Sequence, residues 1–583
     1  MTDEAPKLTG LGKLITFLLI VGLIGLGVWI MDNRSSDSQP QPQPTSQNTS
    51  PSTKTPAPPA TSGDAKEAPD AGSITTVKEY KYVVGEKLPP VKGASQYKWN
   101  DADKVLRFSY NVWSGWLPII AANGGTKPNA ESVFAKKYGF KVEMVLMDDP
   151  VAARDAYVAG EIHTLWGTVD MMVLFAPELM RDSRTAPRIV QQIDWSNGGD
   201  GIVVRKSIKT ARDLKGRTVS LAQNSPSEYY LTSMLLSTGL KPADVKMKYT
   251  ATAFEAAAAF VADHSIDACV SWAPDIYNIA DRVPGTRILS STKDANKLIA
   301  DVYAVRADFM RDHPDVVAGL VEGILEGMRI IKTNPGPAAQ AMADAFGMKT
   351  EDVMGMRNDA HLTNAAENAQ FFLNASNPTN FERTWKNSAY VYRELGRISA
   401  PVPFDQVMDY TIIQKTIAKP EFAKDRDESV AAFIPAQTRR LQAEAPILTQ
   451  TIRINFFPNS ANPFEPARNE LGLVEAGRLY DPNVSSTMEQ VARLAGQFAR
   501  ASILIEGHTD GSMKGRVPEA AVLQLSTERA EAIKRSLVEK YRFDPNKFTV
   551  HGKGWGAPAD PSDPDNHAQN RRVEISVYSP EGE

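Results

Sequence analysis

The sequence has almost no cysteine, and this shortage excludes two kinds of architecture. Cys269 is the only cysteine among 583 residues, so neither an internal disulfide framework nor a cysteine-rich metal site can form. Cys269 lies in the apolar run at 268–270, where a buried and unreactive thiol is expected rather than a nucleophile. We expect the chain to hold no metal and no cofactor.

Strong charge of one sign is also missing. The formal net charge is −4, and no long run of like charges occurs, so the sequence gives no reason to expect a nucleic-acid partner. The hydrophobic share of 42% and the charged share of 23% are ordinary for globular proteins. A chain of this length is expected to contain several domains.

Catalytic signatures are missing as well. We find no glycine-rich phosphate loop, no HExxH motif and no serine-histidine-aspartate order of the known hydrolase types. The histidines at 163, 264, 508 and 551 are scattered, and isolated histidines are usually structural or exposed. We expect a binding protein rather than an enzyme.

One long hydrophobic run stands near the N-terminus. Residues 14–31 carry no charge, and the length of this run is close to the minimum for a membrane-spanning helix. A cleaved signal peptide is the alternative, but its apolar core is usually shorter and ends at small residues. Here the run ends at Trp29-Ile30-Met31, and Trp29 suits a membrane interface. We predict an uncleaved transmembrane signal anchor.

The charges around this run predict its orientation. Lys7 and Lys13 precede it and only Arg34 follows closely, which favours a cytoplasmic N-terminus at residues 1–13. Residues 32–74 are rich in proline, serine, glutamine and threonine, and such a segment cannot bury enough apolar surface to fold. We expect a disordered linker that carries the following domain away from the membrane.

The alternation of apolar runs and helical stretches predicts a large α/β domain at residues 75–435. Strands are expected at 105–110 and 218–222, and a helix at 226–238 with Ser225 as its N-cap and Pro226 at its first position. Strands that alternate with helices predict a mostly parallel sheet, with ligands at the carboxyl ends of the strands.

Several blocks in this region resemble the periplasmic solute-binding proteins of ABC transporters, in the group that binds nitrate, sulfonates and taurine. The blocks are Asn111-Val112-Trp113-Ser114-Gly115-Trp116-Leu117-Pro118, Trp166-Gly167-Thr168-Val169-Asp170, Gly198-Gly199-Asp200-Gly201-Ile202-Val203, Asp213-Leu214-Lys215-Gly216 and Ile266-Asp267-Ala268-Cys269-Val270-Ser271-Trp272-Ala273-Pro274. The resemblance implies two α/β lobes that close like a hinge on a small, unidentified solute. The first lobe would hold residues 100–195 and 300–435, and the second residues 200–298.

The loops at the expected crevice supply the candidate solute-binding residues. They are Trp113, Trp116, Thr168, Asp170, Ser225, Ser227, Trp272 and Asp275. The tryptophans could instead be core aromatics, and Asp275 could instead cap the next helix. These loops carry acids and aromatics but no lysine, arginine or histidine, which favours a zwitterionic or amine-bearing solute.

Near the C-terminus, a carboxylate and a guanidinium stand in two short motifs. Asp510 follows the apolar run 503–505 in the sequence Gly-His-Thr-Asp, and Arg529 follows Ser526, which we predict to be a helix N-cap. Arg529 would then lie in the first turn of that helix. A site with one carboxylate and one guanidinium fits a zwitterionic, amino-acid-like group.

These motifs, with Asn570-Arg571-Arg572, resemble the OmpA-like peptidoglycan-binding domain, here at residues 448–583. The resemblance implies non-covalent binding of the diaminopimelate side chain of the stem peptide through Asp510, Arg529 and Arg571, with Thr509 and Asn570 in the same motifs. Two departures are an enlarged loop at 511–523, and Val522 where the family usually has asparagine. The alternative is that Asp510 and Arg529 merely pair on the surface.

Together these features predict a two-lobed α/β domain and a smaller α+β domain behind an N-terminal transmembrane helix. Residues 436–447 would connect the two domains. The expected location is the inner membrane of a Gram-negative bacterium, single-pass, with most of the chain in the periplasm. The expected partners are peptidoglycan and a small solute, with a membrane transporter or envelope protein as a further candidate. Two alternatives are a structural membrane-to-wall tether and an envelope sensor with a partner-docking middle domain.

Overall fold

The computed structural model of the chain describes residues 74–431, 433, 436–443, 446–457 and 459–579. All of them belong to one compact unit, residues 63–583. The predicted membrane anchor at 14–31 and nearly all of the predicted linker lie outside the described residues. Among the helices that are described, none has the length and apolar character needed to cross a membrane.

The first lobe is built on a six-stranded sheet. Its strands are β2 (Val105–Tyr110), β3 (Lys141–Leu146), β4 (Thr164–Thr168), β5 (Pro187–Ser196), β11 (Ala300–Arg306) and β12 (Ala360–Leu362). Their order across the sheet is β12-β5-β11-β4-β2-β3. Its helices are α1 (Leu117–Asn123), α2 (Pro150–Val158), α3 (Val169–Leu179), α7 (Ala307–Asp312), α8 (Pro314–Thr333), α9 (Gly336–Phe346), α10 (Thr350–Met356), α11 (Ala365–Phe372), α12 (Phe381–Glu394) and α13 (Thr411–Thr416).

The second lobe has its own six-stranded sheet. Its strands are β1 (Tyr82–Val83), β6 (Asp200–Arg205), β7 (Thr218–Ala222), β8 (Lys246–Thr250), β9 (Ala268–Trp272) and β10 (Thr286–Ser291). Their order across the sheet is β1-β8-β7-β9-β6-β10. Its helices are α4 (Pro226–Ser237), α5 (Ala253–Ala262) and α6 (Asp275–Arg282). The predicted two-lobed architecture is therefore confirmed.

The prediction of mostly parallel sheets is wrong. In the first lobe β2 runs parallel to β3 and β4, but β11 is antiparallel to both of its neighbours. In the second lobe β7 runs parallel to β8 and β9, but β6 is antiparallel to β9 and β10. The reason is the path of the chain. Strands β5 and β10 leave their lobes in the direction of the βαβ strands, and β6 and β11 enter the next lobe against that direction.

Two short crossovers connect the lobes, one between β5 and β6 and the other between β10 and β11. Gly199 lies in the first crossover, where a Cβ atom would stand 2.3 Å from the ring of Trp113. Only glycine therefore allows the indole to pack against the connection. This places a residue of the first lobe directly on the segment that leads into the second.

The C-terminal domain has a four-stranded sheet. Its strands are β13 (Leu448–Ile452), β16 (Ser502–His508), β17 (Phe548–Gly554) and β18 (Val573–Tyr578), and a separate hairpin consists of β14 (Pro466–Arg468) and β15 (Val474–Leu479). The order across the sheet is β13-β18-β16-β17. The helices from 438 onward are α14 (Thr438–Ala443), α15 (Val484–Gln497), α16 (Glu519–Tyr541) and α17 (His567–Asn570).

The predicted N-cap at Ser526 is wrong. Helix α16 begins at Glu519 after the N-cap Pro518, so its first two turns occupy part of the predicted loop 511–523. Ser526 lies inside the helix, where its hydroxyl donates to Leu523 O (2.8 Å) and accepts from Gly554 N–H (3.1 Å). Arg529 is consequently in the helix interior, and the macrodipole at the helix start does not act on it directly.

The C-terminal domain packs on the two-lobed domain through α15. Arg383 of α12 donates to Glu489 of α15 (2.5 Å), and Lys297 N–H, in the crossover before β11, donates to Gln497 O (3.0 Å). Gly496 lies against Pro378, where a Cβ atom would approach to 3.0 Å. The two domains therefore share a specific contact surface.

Candidate functional site

A pair of aspartates lies in the first lobe beside the crossovers. Asp194 on β5 stands directly opposite Asp301 on β11, and both are buried. Trp113 Nε1–H donates to Asp194 Oδ2 at 3.1 Å. Because the two buried carboxyl groups face each other, burial and then the charge of Asp194 raise the pKa of Asp301 well above its usual value.

Two more buried aspartates lie on either side of the first crossover. Asp200 is the first residue of β6, and its Oδ2 accepts from Ser196 Oγ–H at 2.6 Å. Asp359 precedes β12, and its Oδ1 accepts from Tyr277 O–H at 2.8 Å. Tyr277 belongs to the second lobe and Asp359 to the first, so this hydrogen bond spans the crevice.

A fifth buried aspartate is joined to the second lobe by a tyrosine. Asp170 lies in the first turn of α3, whose N-cap is Thr168, and its Oδ2 accepts from Tyr392 O–H at 3.0 Å. The same hydroxyl lies 3.4 Å from the carbonyl oxygen of Ser225, the N-cap of α4. Three residues predicted at the crevice, Thr168, Asp170 and Ser225, are thereby brought together.

The five aspartates interact electrostatically, and we call them the carboxylate cluster; its members are Asp170, Asp194, Asp200, Asp301 and Asp359. Burial raises the pKa of Asp170 to about 6, and burial and then the charges of neighbouring aspartates raise the pKa of Asp200 to about 7. Burial also raises the pKa of Asp194 to about 7, and that of Asp301 well above its usual value. The hydrogen bond from Trp113 opposes the shift in the pKa of Asp194.

Several buried polar atoms around the crevice have no hydrogen-bond partner among the described residues. Three are acceptors: Oε1 of Gln192, Oδ1 of Asn224 and Oδ2 of Asp359. Gln192 is close to the cluster, because its Nε2–H donates to the carbonyl oxygen of Asp194 at 3.2 Å. Two others, Trp272 Nε1 and Ser227 Oγ, can donate. Buried polar groups normally find partners, so these atoms point to a polar ligand.

The other predicted solute-binding residues divide between the crevice and the core. Trp116 is fully buried, donates to Asn111 Oδ1 at 2.8 Å and packs on Phe108, so the structure places it in the core. Asp275 accepts from both the backbone N–H and the hydroxyl of Thr76 (2.8 and 2.7 Å), which ties it to the N-terminal segment of the domain.

A separate carboxylate–guanidinium site lies in the C-terminal domain, at the end of β16. Asp510 Oδ2 and Arg571 Nε form an ion pair at 3.1 Å. Arg529 of α16 is only 7% exposed and stacks over the ring of Phe456, 4.7 Å from its centre. Its Nε–H donates to Ser460 O at 3.1 Å, so residues of the segment between β13 and α15 hold it in place.

Arg529 is the buried charge of this C-terminal site. Burial lowers the pKa of Arg529 to about 10, Asp510 partly restores it and Arg571 lowers it further. An anionic group placed beside Arg529 would stabilise its buried guanidinium group.

Thr509 and Asn570 take different positions around that site. Thr509 N–H donates to Gly554 O at 2.8 Å, and its buried hydroxyl has no partner among the described residues. Asn570 accepts from Ala559 N–H (2.8 Å) and donates to Pro564 O (2.7 Å). Asn570 thus fixes the loop before β18. Val522, where the family usually has asparagine, is buried in the first turns of α16.

Sequence reasoning missed Asp194, Asp301 and Asp359, and it included Asp200 only within a family block. One available signal was a single aspartate inside the apolar run at 299–305, because an unpaired charge in a buried strand is rare. The others lie in separate segments, and only the two crossovers bring them together.

Two family models match the chain. The model "NMT1/THI5 like" matches residues 136–338, and the model "OmpA family" matches residues 476–572. The chain is 24% identical over 282 residues to the taurine-binding periplasmic protein of Escherichia coli K12, covering 46% of this chain and 83% of that protein.

The C-terminal part is 31% identical over 131 residues to the outer membrane protein Omp38 of Acinetobacter baumannii. That match covers 21% of this chain and 36% of Omp38, so the chain spans about a third of the length of that relative.

Solved structures of binding proteins are also similar. The periplasmic aliphatic sulphonate binding protein of Escherichia coli is 19% identical, with a TM-score of 0.41, over 52% of this chain and 96% of that one. The periplasmic nitrate-binding protein of Synechocystis PCC 6803 is 14% identical, with a TM-score of 0.41, over 54% and 88%. The chain therefore carries one segment, residues 136–338, that matches the NMT1/THI5-like family model and a second, residues 476–572, that matches the OmpA family model.

Proposed function

We propose that the protein is a solute receptor of the Gram-negative cell envelope, tethered to the inner membrane by residues 14–31 and held to peptidoglycan by its C-terminal domain. The observation that carries the receptor function is the carboxylate cluster at the crevice between two lobes. The wall-binding role rests on the family of the C-terminal domain and on the grouping of Asp510, Arg529 and Arg571. The role is binding, and we propose no catalytic step.

The cluster favours a solute with a positively charged nitrogen. An ammonium group would offset several buried carboxylates and donate to the free acceptors of Gln192, Asn224 and Asp359. A fully ionised oxyanion would meet repulsion from the same carboxylates. The unpartnered donors Trp272 Nε1–H and Ser227 Oγ–H can bind an acidic group on the same solute molecule. One relative is a taurine-binding protein, and taurine carries both an ammonium and a sulfonate group, so it is a natural first probe.

Calorimetry on the full chain in detergent tests this function. Taurine, a monoamine and methanesulfonate would be titrated separately into the wild type and into Asp200→Asn. We expect an amine-bearing probe to bind the wild type and to bind Asp200→Asn at least about tenfold more weakly, since one charge-assisted interaction is lost. Binding of methanesulfonate alone would overturn the proposed solute class. If a broad panel of amines and anions all failed to bind, the receptor function would be wrong and a structural tether would be favoured.

One observation favours a sensor as the second candidate function. The C-terminal domain contacts the first lobe through Arg383 and Glu489, and the crossover through Lys297 and Gln497. A change in lobe angle would strain these contacts, because the crossover moves with the hinge. Solute binding could thereby alter how the wall-binding domain is held.

A further inference from the structure

A polar cavity of about 300 Å³ lies where the C-terminal domain meets both lobes. Helix α4 of the second lobe, helix α12 of the first lobe and helix α15 with strand β13 of the C-terminal domain form its walls. The cavity is separate from the carboxylate cluster and from the site at Asp510.

The charges that line this cavity are all of one sign. Lys386, Arg393 and Arg493 line it, and no aspartate or glutamate does. Lys386 is paired with Glu382 at 2.5 Å, outside the lining. The guanidinium groups of Arg393 and Arg493 make no ion pair or hydrogen bond with any residue that the structure describes.

Arg493 is the most informative of these side chains. It is partly buried on α15, and burial lowers the pKa of its guanidinium group despite the nearby Tyr229, Tyr390 and Glu489. Glu489 is already engaged by Arg383 (2.5 Å) and by the hydroxyl of Tyr541 (2.6 Å). A guanidinium group that has lost part of its hydration without gaining a carboxylate is unfavourable, so an anionic ligand would stabilise it.

The remaining lining supplies neutral hydrogen-bonding groups. Gln450, Gln490 and Gln497 contribute amides from the C-terminal domain. Ser233 lines the cavity from α4, is only 8% exposed, and its Oγ has no partner among the described residues. Donors therefore approach the cavity from both domains.

We propose that this cavity binds a small oxyanion, with Arg493 as its principal ligand. A carboxylate, sulfonate or phosphate group has the planar or tripodal oxygens that a guanidinium fork recognises. Because the walls come from both lobes and the C-terminal domain, a bound oxyanion holds the three together. The site is independent of the solute proposed for the crevice.

Calorimetric titration of inorganic phosphate, sulfate and succinate into the full chain in detergent, at constant ionic strength in chloride, tests the site. We expect at least one of these probes to bind the wild type, and Arg493→Gln to weaken it roughly tenfold or more. Arg493→Lys should retain part of the affinity, because it keeps the charge but loses the fork. Arg478→Gln, at an exposed arginine paired with Glu475 on the separate hairpin, is the matched control and should bind as the wild type does.

Equal binding by the wild type and Arg493→Gln would mean an adventitious ion only, and the absence of any binding would equally overturn the site. If Arg493→Gln does not fold, Arg493→Lys carries the test, because it keeps the charge of the side chain and removes only the guanidinium fork. An unchanged affinity in that variant would then contradict Arg493 as the principal ligand.

Discussion

Arg397 Nη2 lies 2.5 Å from Glu228 Oε1, and this ion pair joins the first lobe to the second. Both side chains are buried, at 8% and 0% exposure. Glu228 also accepts from Asn224 N–H at 2.9 Å, just before the start of α4. Arg397 is further held by the carbonyl oxygen of Glu86 and by the ring of Tyr249. The pair therefore fastens the two lobes to each other.

Removing one partner of this pair should destabilise the protein strongly. Arg397→Gln leaves the carboxylate of Glu228 buried without its counter-charge, which typically costs about 3–5 kcal/mol. The double variant Arg397→Gln with Glu228→Gln should cost less than the single one, because no uncompensated charge remains. Denaturant unfolding of the three proteins measures the difference. A double variant that is less stable than Arg397→Gln would contradict this account of the pair.

The carboxylate cluster predicts an unusual dependence of stability on pH. Its members have folded-state pKa values raised above those of free aspartate, to about 7 for Asp194 and Asp200. Between pH 4 and 7 the folded state therefore binds more protons than the unfolded state. The contribution of the cluster is fully present below about pH 4 and is lost as the pH rises through about 7, with a slope of up to about 1.4 kcal/mol per pH unit for each proton.

Asp301→Asn isolates this contribution from that of other groups. Burial lowers the pKa of His163 to about 4, so His163 makes the protein more stable as the pH rises. This contribution is the same in the wild type and in Asp301→Asn, and it cancels in the difference between them. We expect the stability of Asp301→Asn relative to the wild type to increase from pH 5 to pH 8. Urea unfolding at each pH measures this, and a difference that does not change with pH would show that Asp301 is not protonated in the folded state.

Wall binding should depend on Arg529 and Asp510 together. Arg529→Ala and Asp510→Ala should each abolish retention of the chain on peptidoglycan that contains diaminopimelate, because each removes one charge of the proposed zwitterion site. Arg535→Ala, on the same helix, is the control and should be retained fully. Equal retention of all variants in a pulldown would favour the alternative in which the charged pair is only a surface contact.

Gly507 is expected to control the position of the Gly-His-Thr-Asp segment. A Cβ atom there would lie 2.1 Å from the carbonyl oxygen of Ser526, so Gly507→Ala must push α16 and Arg529 away from β16. Gly511→Ala is the matched control, because no atom lies within 4 Å of its Cβ position. We expect weaker peptidoglycan retention and a lower melting temperature for Gly507→Ala alone. Wild-type behaviour of both variants would contradict the close packing.

The sequence predicts local structure well where turn and cap residues mark it. Strands β2 and β7 and helix α4 with its N-cap Ser225 are found as predicted, because their apolar runs end at clear signals. Helix α16 begins seven residues before the predicted N-cap, at Glu519 rather than after Ser526, because Ser526 bonds within the helix and to Gly554 instead of capping it.

The site residues were harder to predict, for reasons of topology. Trp113 and Asp170 were found because each belongs to a recognisable motif. Asp194 and Asp301 become neighbours only through the antiparallel pairing of β5 with β11, and local sequence patterns carry no information about that pairing. The roles of Trp116 and Trp272 depend on which face of the local structure each side chain occupies, which the loop sequences alone do not settle.

The central claim is that the carboxylate cluster receives a positively charged solute, and proton linkage tests it most directly. Calorimetric titration of the amine probe into the protein at pH 7, repeated in two buffers of different ionisation enthalpy, measures the number of protons exchanged on binding. A cation favours the ionised carboxylates, so the account predicts a net release of protons that is reduced in Asp200→Asn. Proton uptake on binding, or a release that Asp200→Asn leaves unchanged, would contradict it.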